Sequence, residues 1–161
     1  MCSYCGCHDI TVIGRLMDEH EAIQNAAGEL RRTVVTGGPE DVAAGVAALA
    51  GLLDPHVEVE ERGLFGELRD DPEFAPHIDR LCGEHVTLEA ALDAVRGGDL
   101  TGLDALLRLL DAHIEREDNG VFPAAATALD GPSWDRITDR LNEPAAVQHH
   151  PDRVTEPRGA P

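Results

Sequence analysis

Six residues of this chain have side chains suited to holding metal ions, at spacings that would let them act together: His20, His56, Glu60, His85, His113 and Glu117. His56 and Glu60 are four positions apart, as are His113 and Glu117, so each pair lies on one helix face a turn apart. His20 and His85 stand singly. A carboxylate has two oxygens and can bridge two ions, and imidazole suits iron, copper and zinc. Two bridging carboxylates and four imidazoles would give each of two metals two nitrogens and two oxygens. A bridging oxo, hydroxo or water would add a fifth ligand, leaving one octahedral position per metal where a small molecule could react. A structural zinc site would instead close at four ligands.

The elements that must position these residues are helices. Thr36-Gly37-Gly38-Pro39, Asp70-Asp71-Pro72, Gly97-Gly98-Asp99 and Gly131-Pro132 are clusters of helix breakers and caps. Between them the spacing predicts four helices over about 10–35, 40–69, 73–96 and 99–128, and a short fifth over about 132–142. Each carries an apolar stripe of period about 3.6. The first runs Ile13, Leu16, His20, Ile23, Ala27, Leu30, and the third Ile78, Leu81, His85, Leu88, Leu92. In the second and fourth, His56 with Glu60 and His113 with Glu117 interrupt the stripe. An ionised carboxylate in a dry seam costs several kcal/mol unless something pairs with it, so a cation is the economical reason for these interruptions. Short loops make neighbouring helices antiparallel, and a rise of about 1.5 Å per residue then puts all six groups in one slab about two turns thick. The fold expected is all-α, an antiparallel up-down four-helix bundle over 10–128. A Cys-rich segment (1–9) precedes it, and a short helix (129–142) and a disordered tail (143–161) follow. No sequence repeat is read beyond the helical period.

Composition narrows the partners. The formal net charge is −18 and the chain has no lysine, which disfavours nucleic acid and anionic membrane. No run of 18 consecutive apolar residues is present, so no membrane span is expected. The N-terminus lacks a basic start and apolar run, so no secretory signal is read and the expected compartment is the cytoplasm. Cys2, Cys5 and Cys7 crowd the first seven residues, unlike a disulfide scaffold. They are read as a reducible tail, a redox thiol pair or a small extra metal site. Cys82 is read as a half-buried inert thiol, Phe65 and Phe74 as core, and His77 and Glu89 as surface. Glu61, Glu84 and Asp118 adjoin the six but are read as pointing elsewhere. Asp118 stays open as an alternative to Glu117, because His113-x4-Asp118 coexists with His113-x3-Glu117. Position 117 continues the buried stripe and is the expected choice.

The order His…HxxxE…His…HxxxE over residues 10–128 resembles the hemerythrin-like (HHE cation-binding) family. It is most similar to the di-iron subgroup containing iron–sulfur cluster repair proteins and actinobacterial hemerythrin-like proteins. The resemblance implies two iron ions with His20, His56, His85 and His113 as terminal ligands and Glu60 and Glu117 as bridges. The chain departs from oxygen-carrying hemerythrins, which have HxxxH on the third helix: here Leu81 and Glu89 flank His85 at four residues, so a fifth His is missing. The resemblance therefore implies redox processing of hydrogen peroxide, nitric oxide or dioxygen in stress defence, as a di-iron oxidoreductase, rather than reversible oxygen carriage. The alternative is a non-catalytic oxygen or iron sensor, or an iron donor in cluster repair, with a protein partner reached through the N-terminal cysteines. Zinc or manganese in the same site is a third reading. The ferritin-type ExxH and zinc-protease HExxH motifs are absent.

Overall fold

A computed structural model describes residues 6–143, and the described residues are helical throughout, with no strand among them. A 3₁₀ turn at Cys7–Asp9 leads into α1 (Thr11–Thr36), followed by α2 (Pro39–Arg62), α3 (Leu64–Leu68) and α4 (Ala75–Arg96). A 3₁₀ turn at Leu100–Gly102 opens α5 (Leu103–Arg116). A π-helical turn, Glu117–Val121, joins α5 to α6 (Phe122–Ala128), and α7 (Gly131–Asn142) closes the described chain. Tyr4, Cys2, Cys5, His149, His150 and all but the first residue of the expected tail lie outside the described residues.

The breaks fall where capping chemistry puts them. Pro39 begins α2 with its φ already helical, and the Gly38 N–H donates to the Asp41 carboxylate at 2.9 Å. Gly98, at φ +94, makes the left-handed step after α4. Asp130 accepts from the Ser133 N–H at 3.0 Å and caps α7.

The long helices pack in a closed cycle: α1 on α2, α2 on α4, α4 on α5, and α5 on α1. Two apolar clusters fill the interior. One contains Ile23, Leu30, Leu49, Leu53, Leu88, Leu92, Leu106 and Leu110. The other contains Leu16, Leu64, Phe65, Leu81, Phe122 and Ile137. Chain order alternates between them. Leu16 to Ile23 on α1 and Leu81 to Leu88 on α4 step from the second cluster to the first. Leu53 to Leu64 and Leu110 to Phe122 step back. In every case the residues crossed include the His or His-Glu interruption.

Two expected helices are not continuous. The expected 40–69 helix breaks at Gly63, whose backbone (φ −89, ψ −95) leaves the helical range. A Cβ there would stand 2.8 Å from the Val59 carbonyl oxygen, which requires glycine at this break, and 3.1 Å from Leu141 Cδ2 of α7, which tightens the space further. The expected 99–128 helix loosens into the π turn at Glu117. Phe65 is fully buried as expected, whereas Phe74 is only partly buried at the core's edge.

Glu67, also buried, pins α7 through Arg136 and through Arg140 at 3.0 Å. The α2–α3 segment, Pro39–Leu68, is long and apolar enough by length and composition to cross a membrane. One of its faces lines the core with Val46, Leu49, Ala50 and Leu53, and the same segment carries His56, Glu60 and Glu61.

Candidate metal centre

All six residues singled out from spacing meet in the interior. His20, His56, Glu60, His85, His113 and Glu117 are each at most 4% exposed. Their donor atoms form two overlapping groups that share both carboxylates: His20, His56, Glu60 and Glu117, and His85, His113, Glu60 and Glu117. Within each group the donor atoms lie within 4.8 Å of one another.

The polar atoms at the middle are poorly satisfied by the protein alone. His20 Nε2 and all four oxygens of Glu60 and Glu117 have no hydrogen-bond partner of proper geometry. Imidazole nitrogens nevertheless stand close: His113 Nε2 is 2.9 Å from Glu117 Oε1, His20 Nε2 3.3 Å from Glu117 Oε2, and His85 Nε2 3.4 Å from Glu60 Oε2. His85 Nε2 and His113 Nε2 face each other at 2.8 Å. Lone pairs that converge without donors are costly in a dry interior and suit cations that would accept them all. The site therefore fits metal cations by its own donor set.

The outer nitrogens are satisfied in a regular way. Each Nδ1–H donates to a carboxylate: His56 to Glu19 at 2.9 Å, His85 to Glu61 at 2.9 Å, His113 to Glu84 at 2.9 Å, and His20 to Asp118 at 2.8 Å. An ionised carboxylate only accepts, so the Nδ1 proton is fixed and Nε2 is turned inward. Each carboxylate sits one residue from a member of the six and reaches the next helix of the cycle. Glu19 beside His20 clamps α2, Glu61 beside Glu60 clamps α4, Glu84 beside His85 clamps α5, and Asp118 beside Glu117 returns to α1. The four clamps close a ring around the centre.

The expectation that Glu61, Glu84 and Asp118 point elsewhere is thus corrected. A side chain about 100° off the buried stripe does not enter the centre, but from the seam it meets the back of the neighbouring helix's histidine. Glu19 was not singled out at all. Its signal was its place beside His20, the same relation that Glu84 has to His85. His77 and Glu89 are exposed.

The arrangement also exposes a repeat that the sequence reading missed. His56-Val-Glu-Val-Glu-Glu-Arg-Gly-Leu-Phe65 and His113-Ile-Glu-Arg-Glu-Asp-Asn-Gly-Val-Phe122 match in type at eight of ten positions. Both copies leave regular α-helix just after the inner glutamate, at Gly63 and in the π turn. Both then lay a phenylalanine flat on a histidine across the bundle. Phe65 stacks on His85 (5.7 Å, 8°) and Phe122 on His20 (5.5 Å, 12°). The histidines of each group meet edge to face, His20 with His56 and His85 with His113, both at 4.6 Å.

Electrostatics follow from this crowding. Burial pushes the His20 imidazolium down, but the Asp118 hydrogen bond and the close carboxylates of Glu117 and Glu60 prevail and hold it up at about 10. His85 is held up at about 9 against burial by Glu60 and Glu61, and His113 is raised against burial by Glu117 and Glu84. Glu117 is driven down to about 2: burial opposes, and His113 and His20 outweigh it. Without a metal the carboxylates favour the protonated forms of His20, His85 and His113, and cations entering the centre must displace protons. Beside it, Cys82 is held up at about 11 by burial and by Glu61, the state of an inert thiol.

A buried histidine–carboxylate centre framed by four long helices defines a class of cation-binding helical proteins. Residues 11–125 match the model of the hemerythrin HHE cation-binding domain, and the chain belongs to that family. Comparisons with curated proteins and with solved structures returned no match.

Proposed function

We propose that the chain is a di-iron protein of up-down, antiparallel four-helix form that binds and redox-processes a small molecule: hydrogen peroxide, nitric oxide or dioxygen. His20, His56, His85 and His113 are the terminal ligands, and Glu60 and Glu117 the bridges. The observation that carries the reading is the sharing of both buried carboxylates by two groups of donors, with every carboxylate oxygen lacking a hydrogen-bond donor. The alternation of the helices between the two apolar clusters supports the antiparallel form. Asp118 is spent on His20 Nδ1, which favours Glu117 as the fourth-helix bridge.

Two irons held side by side would supply two-electron redox chemistry. The chain's own residues do the rest. The ring of outer carboxylates orients the imidazoles, Phe65 and Phe122 cover their faces, and the two apolar clusters exclude bulk water. Four histidines and two shared carboxylates leave positions on the metals to which the chain offers no ligand, as reaction with a small molecule requires.

The test is metal analysis and an optical spectrum of purified protein, followed by peroxide and nitric oxide assays. About two irons per chain, a charge-transfer band and turnover that disappears in His56→Ala are expected. Zinc or manganese as the native metal, or normal turnover in His56→Ala, would overturn the reading. Reversible binding or loss of iron without turnover would leave a sensor or iron donor.

A further inference from the structure

The ring of clamps is not uniform, and its weakest link faces a cleft. Glu19 is braced by Arg15 at 2.8 Å, and Glu84 by Arg116. Glu61 accepts from the Cys82 thiol, itself held by Arg69 at 3.0 Å. Asp118 is the shortest of the four side chains, and among the described residues its carboxylate bonds His20 alone. It also sits on the π turn, where the backbone ladder is loosest.

Beside this clamp lies a cleft of about 230 Å3 lined by Met17, His20, Glu21, Gln24 and Asp118. Its walls supply two carboxylates, an amide oxygen and a thioether, a graded series of cation donors. His20 itself lines the cleft, on the side where its Nδ1 meets Asp118, and is 1% exposed. A larger groove of about 760 Å3 on the other side borders Leu81 and Arg116 but touches none of the six.

We propose that this cleft is the loading port for a first-row divalent cation, and that the position held by His20 and His56 fills last and empties first. The proposal rests on the two-metal reading above. Opening needs no helix to separate. Asp118 releases His20 Nδ1, the imidazole turns on its side-chain bonds, and the cation passes to Glu21 and Asp118 at the mouth. The His85/His113 position has its clamps braced by Arg116, and by Cys82 with Arg69.

The test uses cobalt(II) as probe in the full chain, with release to excess chelator followed by absorbance. Wild type should bind two equivalents and release them in two phases of one equivalent each. Asp118→Asn should speed the first phase about tenfold or more and leave the second unchanged. Glu84→Gln should speed only the second. Gln24→Trp, at an exposed position that only narrows the cleft, should slow the first phase at unchanged stoichiometry, which a merely structural role would not do. Should Asp118→Asn fail to fold, Gln24→Trp decides alone. A single release phase, an exchange of effects between Asp118→Asn and Glu84→Gln, or a first phase indifferent to Gln24→Trp overturns the port while the two-metal reading stands. Fewer than two equivalents in wild type removes both.

Discussion

The same four helices build two different interiors. Toward one end, Ile23, Leu30, Leu49, Leu92, Val95, Leu106 and Leu110 close a core of aliphatic side chains. A few turns away, the identical 3.6-residue stripe delivers four histidines and two glutamates into a space as completely buried. The aliphatic end stabilises the fold by removing surface from water at about 25 cal/mol per Å2. The polar layer, which lies between that core and the second apolar cluster, must offset the desolvation of several charged groups before it contributes anything. Periodicity therefore sets what is buried, and side-chain chemistry sets whether the burial favours the fold or a ligand. The π turn, the Gly63 break and the carboxylate ring all lie in or beside this polar layer, where helix regularity yields to placing donor atoms.

The two interiors should differ most when metal donors are removed. Glu60→Ala combined with Glu117→Ala should abolish cation binding, read by equilibrium dialysis. Wild type at a free-metal concentration about 1,000 times Kd should gain about 4 kcal/mol over its metal-free form. A metal-independent melting temperature in wild type would contradict the division of roles. At the aliphatic end, Leu92→Ala should cost about 2–5 kcal/mol by denaturant titration, with metal stoichiometry unchanged. If stoichiometry falls with stability, the two interiors are one cooperative unit.

The metal-free polar layer should reveal itself by pH. His20 and His85 have raised folded-state pKa values, so their stabilisation is complete below about 6.5 and is lost as pH rises through about 9 to 10. Glu117 is depressed, so its share is complete above 4.5 and is lost as pH falls toward about 2. Stability of the metal-free protein should therefore be greatest between about 4.5 and 6.5 and decline on both sides. Cation affinity should rise with pH over the alkaline limb, because imidazolium protons must leave first. A flat stability profile from pH 6.5 to 10 would show that the imidazolium pairs contribute nothing.

The smallest effect separates the two copies of the repeat. Gly63→Ala places a methyl against the Val59 carbonyl and Leu141 and should cost about 1–3 kcal/mol. A methyl at Gly120 meets nothing within 4 Å, so Gly120→Ala should be close to neutral. Equal effects in thermal melts would mean that the Val59 carbonyl and Leu141 do not constrain the break.

Much of this was legible along the chain. The stripes, the glycine and proline breaks and the six interrupting residues placed the helices to within a few residues and anticipated that these six side chains meet in the interior. The misses share a cause. Gly63 looks like a tolerated helical glycine until Leu141, far along the chain, occupies the space beside it. Glu19, Glu61, Glu84 and Asp118 look like surface acids, because a single helix shows that they leave the stripe but not which neighbour they meet. The repeat over 56–65 and 113–122 was present as letters, but became meaningful only when Phe65 and Phe122 were found stacked on His85 and His20.

The sequence by itself determined which faces turn inward and which groups arrive there, because both follow from a local period and from side-chain identity. The order of helices around the centre, the carboxylate that backs each imidazole and the cleft beside Asp118 were set by how the helices pack together. These depend on which helix lies beside which, and no local period encodes a neighbour.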